Sequence, residues 1–157
     1  MELTTRGRYA VMAMADLALR GGDTSVPLSQ ISERQKITVA YLEQIFQQLR
    51  KAGLVESARG RSGGYKLGRS PADITISEIM AAVEEGVRMT RCMGHAGETC
   101  MQGERCLTHN LWEALGGQIE AFLSRTTLND VLTGIPGQLP AAGEAAWAGA
   151  VDRGAQR

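Results

Sequence analysis

Three cysteines and two histidines lie within residues 92–109, a stretch rich in glycine and small polar residues. Because such a composition cannot form a hydrophobic core, another centre is expected to organise this part of the chain. Thiolates and imidazole bind iron-sulfur clusters and zinc, and the intervening glycines let the backbone fold tightly around such a centre. The pattern predicts a metal site with a sensing or structural role, whose candidate ligands are Cys92, Cys100, Cys106 and His109.

The spacing of these ligands, C-x7-C-x5-C-x2-H, bears on which metal they bind. Structural zinc sites usually bring ligands in as close pairs, and Cys106 with His109 is the one pair of that kind. The longer loops favour a larger object, an iron-sulfur cluster, although all-cysteine ligation is commoner there. Zinc and metal-free thiols remain alternatives. His95 is a second candidate for the fourth ligand, but it lies in a glycine-containing loop, whereas His109 begins a predicted helix.

The length of 157 residues allows one ordinary domain plus an extension. No stretch approaches the roughly 18 apolar residues of a membrane span, and the apolar run near the N-terminus contains Asp16 and no small-residue cleavage site. We therefore expect a cytoplasmic protein without a membrane partner. An odd number of cysteines in a reducing compartment argues against a disulfide framework.

The net charge of zero hides an asymmetry between the two halves of the chain. Residues 1–70 contain 11 Lys and Arg against 6 Asp and Glu, whereas residues 71–157 contain 6 against 11. A basic half suits a polyanion, because each cation at a phosphate releases a condensed counterion. Charge alone leaves open a mere surface imbalance.

The spacing of apolar and capping residues predicts a helix-turn-helix in this basic half. A first helix over residues 5–20 ends at Gly21-Gly22, and Ser29 is expected to cap a short second helix. After a turn at Lys36-Ile37, Thr38 caps a third helix over residues 39–52, which Gly53 ends. A short helix, a tight turn and a longer helix are the spacing of DNA-binding helix-turn-helix motifs.

The third helix has one apolar stripe and one face of short and amide side chains. Short and amide side chains suit the edges of bases, although an ordinary solvated helix face would have the same composition. Two short strands then flank Arg59-Gly60-Arg61-Ser62-Gly63-Gly64, which predicts a hairpin wing whose arginines reach the minor groove or its phosphates. Helix and wing together favour double-stranded DNA as a partner, bound through Thr38, Ala40, Tyr41, Glu43, Gln44, Gln47, Arg59 and Arg61.

The second half begins at Pro71-Ala72-Asp73, followed by a capping-box pattern from Thr75 to Glu78 and a helix through Glu85 that Gly86 ends. A further helix over residues 108–125 has an apolar stripe, which predicts pairing with the same helix of a second chain. Packing on its own domain is the alternative. The stripe consists of Leu111, Leu115, Ile119 and Phe122. After this helix, Thr127 is expected to cap a last short turn.

These elements give a mainly α fold with a small β-hairpin wing. Residues 1–70 form a winged helix-turn-helix DNA-binding domain, and residues 71–132 hold the metal loop and the long dimerisation helix. Residues 133–157, rich in Ala, Gly and Pro without periodicity, are expected to be a disordered tail.

Four segments resemble the IscR family of winged-helix regulators of iron-sulfur cluster assembly: LTTRGRYAV, the run from ISERQ through YLEQIF to LRKAGLV, RGRSGGYKLGR, and CLTHNLW. The resemblance covers about residues 1–132, and CLTH is its most specific part. It implies a homodimeric repressor or activator whose 2Fe-2S cluster is held by Cys92, Cys100, Cys106 and His109. The loop between the first two cysteines is two residues longer than is usual in that family. NsrR nitric oxide sensors also carry three cysteines but lack the CLTH histidine, so His109 favours IscR.

The main hypothesis is a DNA-binding transcriptional regulator whose affinity or site choice depends on cluster occupancy. A zinc-stabilised repressor and a nitric oxide sensor are alternatives. An electron carrier would use similar ligands but needs neither helix-turn-helix nor wing. An enzyme is not expected, because the sequence has no nucleophile-base constellation, phosphate loop or zinc-deaminase pattern.

Overall fold

The computed structural model describes residues 5–22, 24–58, 63–83 and 106–135. Helices account for most of them, and one antiparallel hairpin supplies the strands. The predicted fold class, mainly α with a hairpin wing, is confirmed. The order of elements is α1 (Thr5–Gly21), α2 (Leu28–Gln35), α3 (Val39–Lys51), β1 (Val55–Ala58), β2 (Gly64–Leu67), a 3-10 turn (Pro71–Asp73), α4 (Ile76–Ala82), α5 (His109–Arg125) and α6 (Leu128–Thr133).

The helix-turn-helix forms from local signals at its turn. Lys36 takes the left-handed conformation (φ 57°) that ends α2, and the Thr38 side chain accepts a hydrogen bond from the Tyr41 N–H at 3.4 Å to begin α3. Both features confirm the predicted turn and cap. The predicted cap at Ser29 is wrong, because α2 begins one residue earlier, after Pro27. Pro27, at φ −65°, fixes the entry to the helix without a side-chain cap.

The apolar stripe of α3 lies in the centre of the core. Its four residues, Leu42, Ile45, Phe46 and Leu49, have no measurable exposure. They are covered by α1 through residues such as Met14 and by α4 through Ile79, both also fully buried. Burial of this apolar surface is the main force that holds the three helices together.

An ion pair between a buried carboxylate and a partly exposed arginine joins α1 to α2. The Asp16 carboxylate, only 4% exposed, accepts hydrogen bonds from Nε and Nη2 of Arg34 at 3.0 and 2.6 Å. It also accepts one from Nε2 of Gln35 at 2.7 Å. The hydrogen bond to Asp16 raises the pKa of Arg34 above its ordinary value. The pair fixes α2 on α1 with the planar geometry that only arginine offers to a carboxylate.

The hairpin is antiparallel, with Val55 opposite Leu67 and Ala58 opposite Gly64. The segment before α2 joins its outer edge, because Val26 and Tyr65 exchange two backbone hydrogen bonds of 2.8 and 2.9 Å. Gly64 makes this approach possible, since a Cβ there would lie 2.5 Å from the carbonyl carbon and oxygen of Val26. Gly64 therefore belongs to strand pairing and not to the predicted hairpin tip.

Helices α4 and α6 begin side by side. Ile76 N–H donates to Thr126 O and Leu128 N–H to Ile74 O, which forms a short antiparallel bridge. Each helix has a complete capping box, Thr75 with Glu78 in α4 as predicted, and Thr127 with Asp130 in α6.

The predicted extent of α4 is too long. The helix ends at Ala82, because Val83 leaves the helical conformation and its side chain is fully buried. The predicted stop at Gly86 lies outside the described residues.

The residues after Pro71 share the core of the N-terminal helices, with Ile74, Ile79 and Leu128 all fully buried. The division at residue 70 stays a prediction. Of the predicted tail, residues 136–157 lie outside the described part of the chain. None of the described helices is both long and apolar enough to cross a membrane.

Candidate nucleic-acid interface and metal site

The polar face of α3 is turned to solvent. Ala40, Glu43, Gln44 and Gln47 are exposed on one side of the helix, opposite its buried stripe. The rigid core behind them holds these side chains on a fixed surface. Because an α-helix fits the major groove, a protruding helix with two amides and one carboxylate on its outer face can contact base edges.

Two of the predicted DNA-binding residues also have structural roles. Thr38 is exposed, but its side-chain oxygen caps α3. Tyr41 is half-buried at the flank of α3, and its ring meets that of Tyr9 of α1 edge to face with centroids 6.0 Å apart. Such aromatic pairs prefer this geometry. The contact with Tyr9 was not apparent from the sequence, because 32 positions separate the two tyrosines and no periodic pattern links them.

The hairpin is attached directly to α3. Phe46 of α3 and Tyr65 of β2 contact each other with ring centroids 4.8 Å apart, and β1 follows α3 after a turn of three residues. An exposed ion pair of 3.0 Å between Lys66 and Glu56 bridges the two strands. The predicted DNA-binding residues Arg59 and Arg61 lie outside the described residues.

Cys106 lies three residues before His109, the first residue of α5. The His109 N–H donates to the Cys106 carbonyl at 3.0 Å, and the Cys106 Sγ lies 3.6 Å from Oγ1 of Thr108. Trp112 Nε1 donates to the same Oγ1 at 3.2 Å. A backbone hydrogen bond therefore joins the two candidate ligands at the start of α5.

The side chain of His109 is 2% exposed, although it begins a helix whose other side chains are open or half-open to solvent. Its Nε2 lies 3.9 Å from Oε2 of Glu113, one turn further along α5. A buried imidazole beside a half-buried cysteine is a donor set that suits a thiophilic metal centre.

Cys92, Cys100 and His95 lie outside the described residues. Within residues 5–22, 24–58, 63–83 and 106–135, no group of three His, Cys, Asp or Glu side chains is close enough to hold a metal ion. The full ligand set is therefore still a prediction, of which two members are seen together.

Helix α5 contacts its own domain by one narrow face. The residues on that face are at least half-buried and recur at helical spacing: His109, Gly116, Ile119 and Leu123. The predicted apolar stripe lies beside it, and three of its four members are open to solvent. Their exposures are 60% for Leu111, 39% for Leu115 and 40% for Phe122.

The position of Asp16 within an apolar run is a sequence signal for an ion pair. A carboxylate within an apolar run implies a buried partner, because an unpaired buried charge is costly. The sequence alone did not identify Arg34, which lies 18 positions away on another helix.

Comparison with known families and proteins gives consistent names. The model of the Rrf2 family, described as iron-dependent transcriptional regulators, matches residues 3–134. The chain is 52% identical over 132 residues to the HTH-type transcriptional regulator IscR of Vibrio atlanticus, which covers 84% of this chain and 75% of that protein. It is 51% identical over 132 residues to the protein of the same name from Photorhabdus laumondii, covering 84% and 79%.

Solved structures agree in fold. The IscR of T. potens has a TM-score of 0.68 and 38% identity, covering 85% of this chain and 87% of that one. CymR, the global cysteine regulator of B. subtilis, has a TM-score of 0.71 and 32% identity, covering 85% and 97%. The names are those of transcriptional regulators, in agreement with the expectation that the chain is not an enzyme.

Proposed function

Since the chain belongs to the Rrf2 family of DNA-binding transcriptional regulators, we propose that it works in the cytoplasm as a homodimer whose DNA binding responds to a 2Fe-2S cluster. Cys92, Cys100, Cys106 and His109 are the proposed ligands. The observation that carries the proposal is the burial of His109 beside Cys106 at one end of α5. The opposite end of α5 leads into Thr126 to Leu128, which are hydrogen-bonded to the segment that begins α4.

The DNA-binding part of the proposal assigns base contacts to the exposed face of α3 and backbone contacts to the wing. Gln44 can form two hydrogen bonds with adenine, whereas Glu43 can accept one from cytosine. Arg59 and Arg61, which lie between β1 and β2 in the sequence, supply the positive charge for these backbone contacts. Thr38 and Tyr41 hold the first turn of α3, so they orient the residues that follow.

The cluster part of the proposal depends on how α5 is connected. Its last turn leads into Thr126 to Leu128, which are hydrogen-bonded to the start of α4. Its first turn contains His109 and follows Cys106. A bound 2Fe-2S cluster would supply coordination bonds to these residues and a redox-active centre. Ligation by Cys106 and His109 would fix the first turn of α5 and bias the arrangement of two paired chains on DNA.

The dimer part rests on the exposed stripe of α5. Isolated helices of this length are marginal in water, and two adjacent glycines in the middle, Gly116 and Gly117, lower the helix propensity further. Burying Leu111, Leu115 and Phe122 against a second copy would offset this. A two-fold dimer also presents two α3 helices to a two-fold DNA site.

The test is to purify the protein without oxygen and measure its iron, sulfide and zinc contents, its absorption spectrum and its affinity for a DNA site selected from a random pool. We expect iron and sulfide in equal amounts and a visible charge-transfer spectrum. Cys106→Ser should lose both elements, whereas the control Asn110→Ser, at an exposed position on the same turn, should keep them.

Three outcomes would contradict parts of the proposal. Stoichiometric zinc without sulfide would favour a zinc-stabilised repressor. Full iron and sulfide in Cys106→Ser would show that the ligand set is wrong. Equal DNA affinity and site preference with and without the cluster would show that the cluster does not control binding.

A further inference from the structure

Helix α1 begins with two arginines that lie on different sides of the helix. Arg6 is half-buried and lies one turn before Tyr9, on the same face, because residues three apart are neighbours on a helix surface. Arg8 is exposed and lies two positions on, which at about 100° per residue places it on the opposite side. Their environments therefore differ although their charge is the same.

The face of α1 that carries Arg6 is directed towards α3. The Tyr9 ring contacts the Tyr41 ring, with centroids 6.0 Å apart, and Tyr41 is in the first turn of α3. Both rings also pack against the core. The contact therefore joins α1, one turn after Arg6, to the first turn of α3.

Tyr41 lies at the flank of α3 and not on its outer face. It follows Ala40 by one residue, so its side chain is turned by about 100° from the row formed by Ala40, Gln44 and Gln47. When that row enters a major groove, the flank of the helix faces a wall of the groove, and the wall consists of phosphates. The contact between the tyrosines places Arg6 on this side.

The side chain of Arg6 suits an anion. Its guanidinium can donate two parallel hydrogen bonds to phosphate oxygens. The first described turn of α1 contains no acidic residue that would compete for it.

We propose that Arg6 binds a phosphate of the DNA backbone at the wall of the groove that α3 occupies, and that the Tyr9–Tyr41 contact holds it there. The proposal rests on the proposed DNA binding through α3 and adds a third contact besides α3 and the wing. Arg6 contributes affinity and register, and no sequence preference, because phosphates are the same at every base pair.

The experiment compares Arg6→Gln with Arg8→Gln, which removes the same charge two positions away. Affinity for a selected DNA duplex is measured by fluorescence anisotropy at several salt concentrations, on protein with its normal cluster content. Arg6→Gln should weaken binding about tenfold per bound chain and make the plot of log affinity against log salt shallower by about one unit per chain. Arg8→Gln should change both quantities much less. Arg6→Lys, which keeps the charge, should recover most of the affinity.

Two further measurements separate the possible failures. Urea unfolding of each variant shows whether Arg6→Gln has lost folding stability instead of a contact, and recovery by Arg6→Lys of affinity at equal stability supports the contact. Gln44→Ala reports on α3 itself. If it changes the preferred sequence while Arg6→Gln and Arg8→Gln behave alike, this inference alone is overturned. If the wild-type protein does not bind duplex DNA, the proposed function and this inference both fail.

Discussion

The winged-helix region and helix α5 differ in where their apolar side chains lie. In residues 5–83, each helix turns its apolar stripe into a common core, and α3 buries four large side chains completely. Of the 17 residues of α5, only His109 is classed as buried, while Leu111, Leu115 and Phe122 remain open. The first region satisfies its own apolar surface. The second region carries apolar surface that residues 5–22, 24–58, 63–83 and 106–135 do not cover.

The difference indicates two origins of stability. Burial within one chain stabilises the winged helix at any protein concentration. A helix stabilised by a second copy or by bound metal depends on the concentration of that partner, by mass action. Under the proposed function, the core shared by α1 to α4 and Leu128 of α6 is the stable part of the chain, and the open face of α5 is where a second copy would act.

The two phenylalanines of the chain test this contrast with the same substitution. Phe46 is fully buried in α3, whereas Phe122 is 40% exposed in α5. Phe46→Ala should lower the free energy of unfolding by about 3–5 kcal/mol, because it removes buried surface and leaves a cavity. Phe122→Ala should cost much less in dilute protein, and its cost should grow with protein concentration if a second copy covers the ring.

Urea unfolding at two protein concentrations measures both effects, and sedimentation gives the oligomeric state. A loss for Phe122→Ala as large as for Phe46→Ala in monomeric protein would mean that α5 is buried on its own domain. A cost that does not change with concentration, in a protein that sediments as a dimer, would exclude the stripe from the dimer interface.

Two glycines sharpen the comparison further. Gly64 lies against the Val26 backbone, and a Cβ there would approach it to 2.5 Å, whereas a Cβ at Gly117 in α5 would meet nothing within 4 Å. Gly64→Ala should destabilise the fold by about 1–3 kcal/mol, because backbone must move. Gly117→Ala should stabilise it by about 0.5–1 kcal/mol, since alanine favours a helix.

The measurements for this pair are urea unfolding and amide hydrogen exchange. Exchange at Val26 and Tyr65 should speed up in Gly64→Ala, because their paired hydrogen bonds open. Unchanged exchange there would mean that the close approach is easily relieved. A loss of stability in Gly117→Ala would show that a partner occupies the side of α5 that is open here.

Local signals made the winged helix predictable from sequence. Thr38 specifies the start of α3, the stripe beginning at Leu42 specifies its buried face, and Thr75 with Glu78 specifies the start of α4. The prediction that Ser29 caps α2 is wrong because Pro27, two positions earlier, already fixes where this helix starts. The role of Gly64 depends on a strand neighbour 38 positions away, which no local pattern reveals.

The candidate sites were predictable to a smaller extent. The spacing of Cys106 and His109 places them close together at a helix start, and a backbone hydrogen bond joins them there. Their role as ligands stays a prediction. The periodicity of the sequence predicts the apolar stripe of α5, but the described residues do not show what covers this stripe. The contact between Tyr9 and Tyr41 arises from packing of α1 on α3, so it emerges only with the tertiary structure.

The junction between the two regions gives the smallest expected effect. Thr75 and Thr127 form a bridge, and each begins a helix with its own capping box, closed by Glu78 in α4 and by Asp130 in α6. The pKa of Glu78 is lowered from its ordinary value of 4.5, first by the hydrogen bond from the Thr75 N–H and then by Arg69, whose Nη2 lies 2.7 Å away. The pKa of Asp130 is lowered by Thr127 alone.

A carboxyl group whose pKa is lowered by folding stabilises the protein above its unfolded pKa. That contribution is lost as the pH falls from about 4.5 through the lower folded value. Glu78→Gln keeps a hydrogen-bonding group but removes the charge, so it should cost about 0.5–1 kcal/mol at neutral pH, a modest value because the site is partly exposed. The difference between wild type and variant should vanish in acid. Asp130→Asn, which has no arginine partner, should show a weaker dependence on salt.

Urea unfolding from neutral pH to below 4.5, at low and high salt, measures these differences. A gap between wild type and Glu78→Gln that persists at the lowest pH would mean that the carboxylate charge is not what stabilises the cap. If Asp130→Asn reduced stability more than Glu78→Gln, the stronger attachment would be on the α6 side of the bridge. The end of α5 would then be held more firmly than the start of α4. The contrast between the buried apolar side chains of the winged-helix region and the exposed ones of α5 would then not extend to this junction.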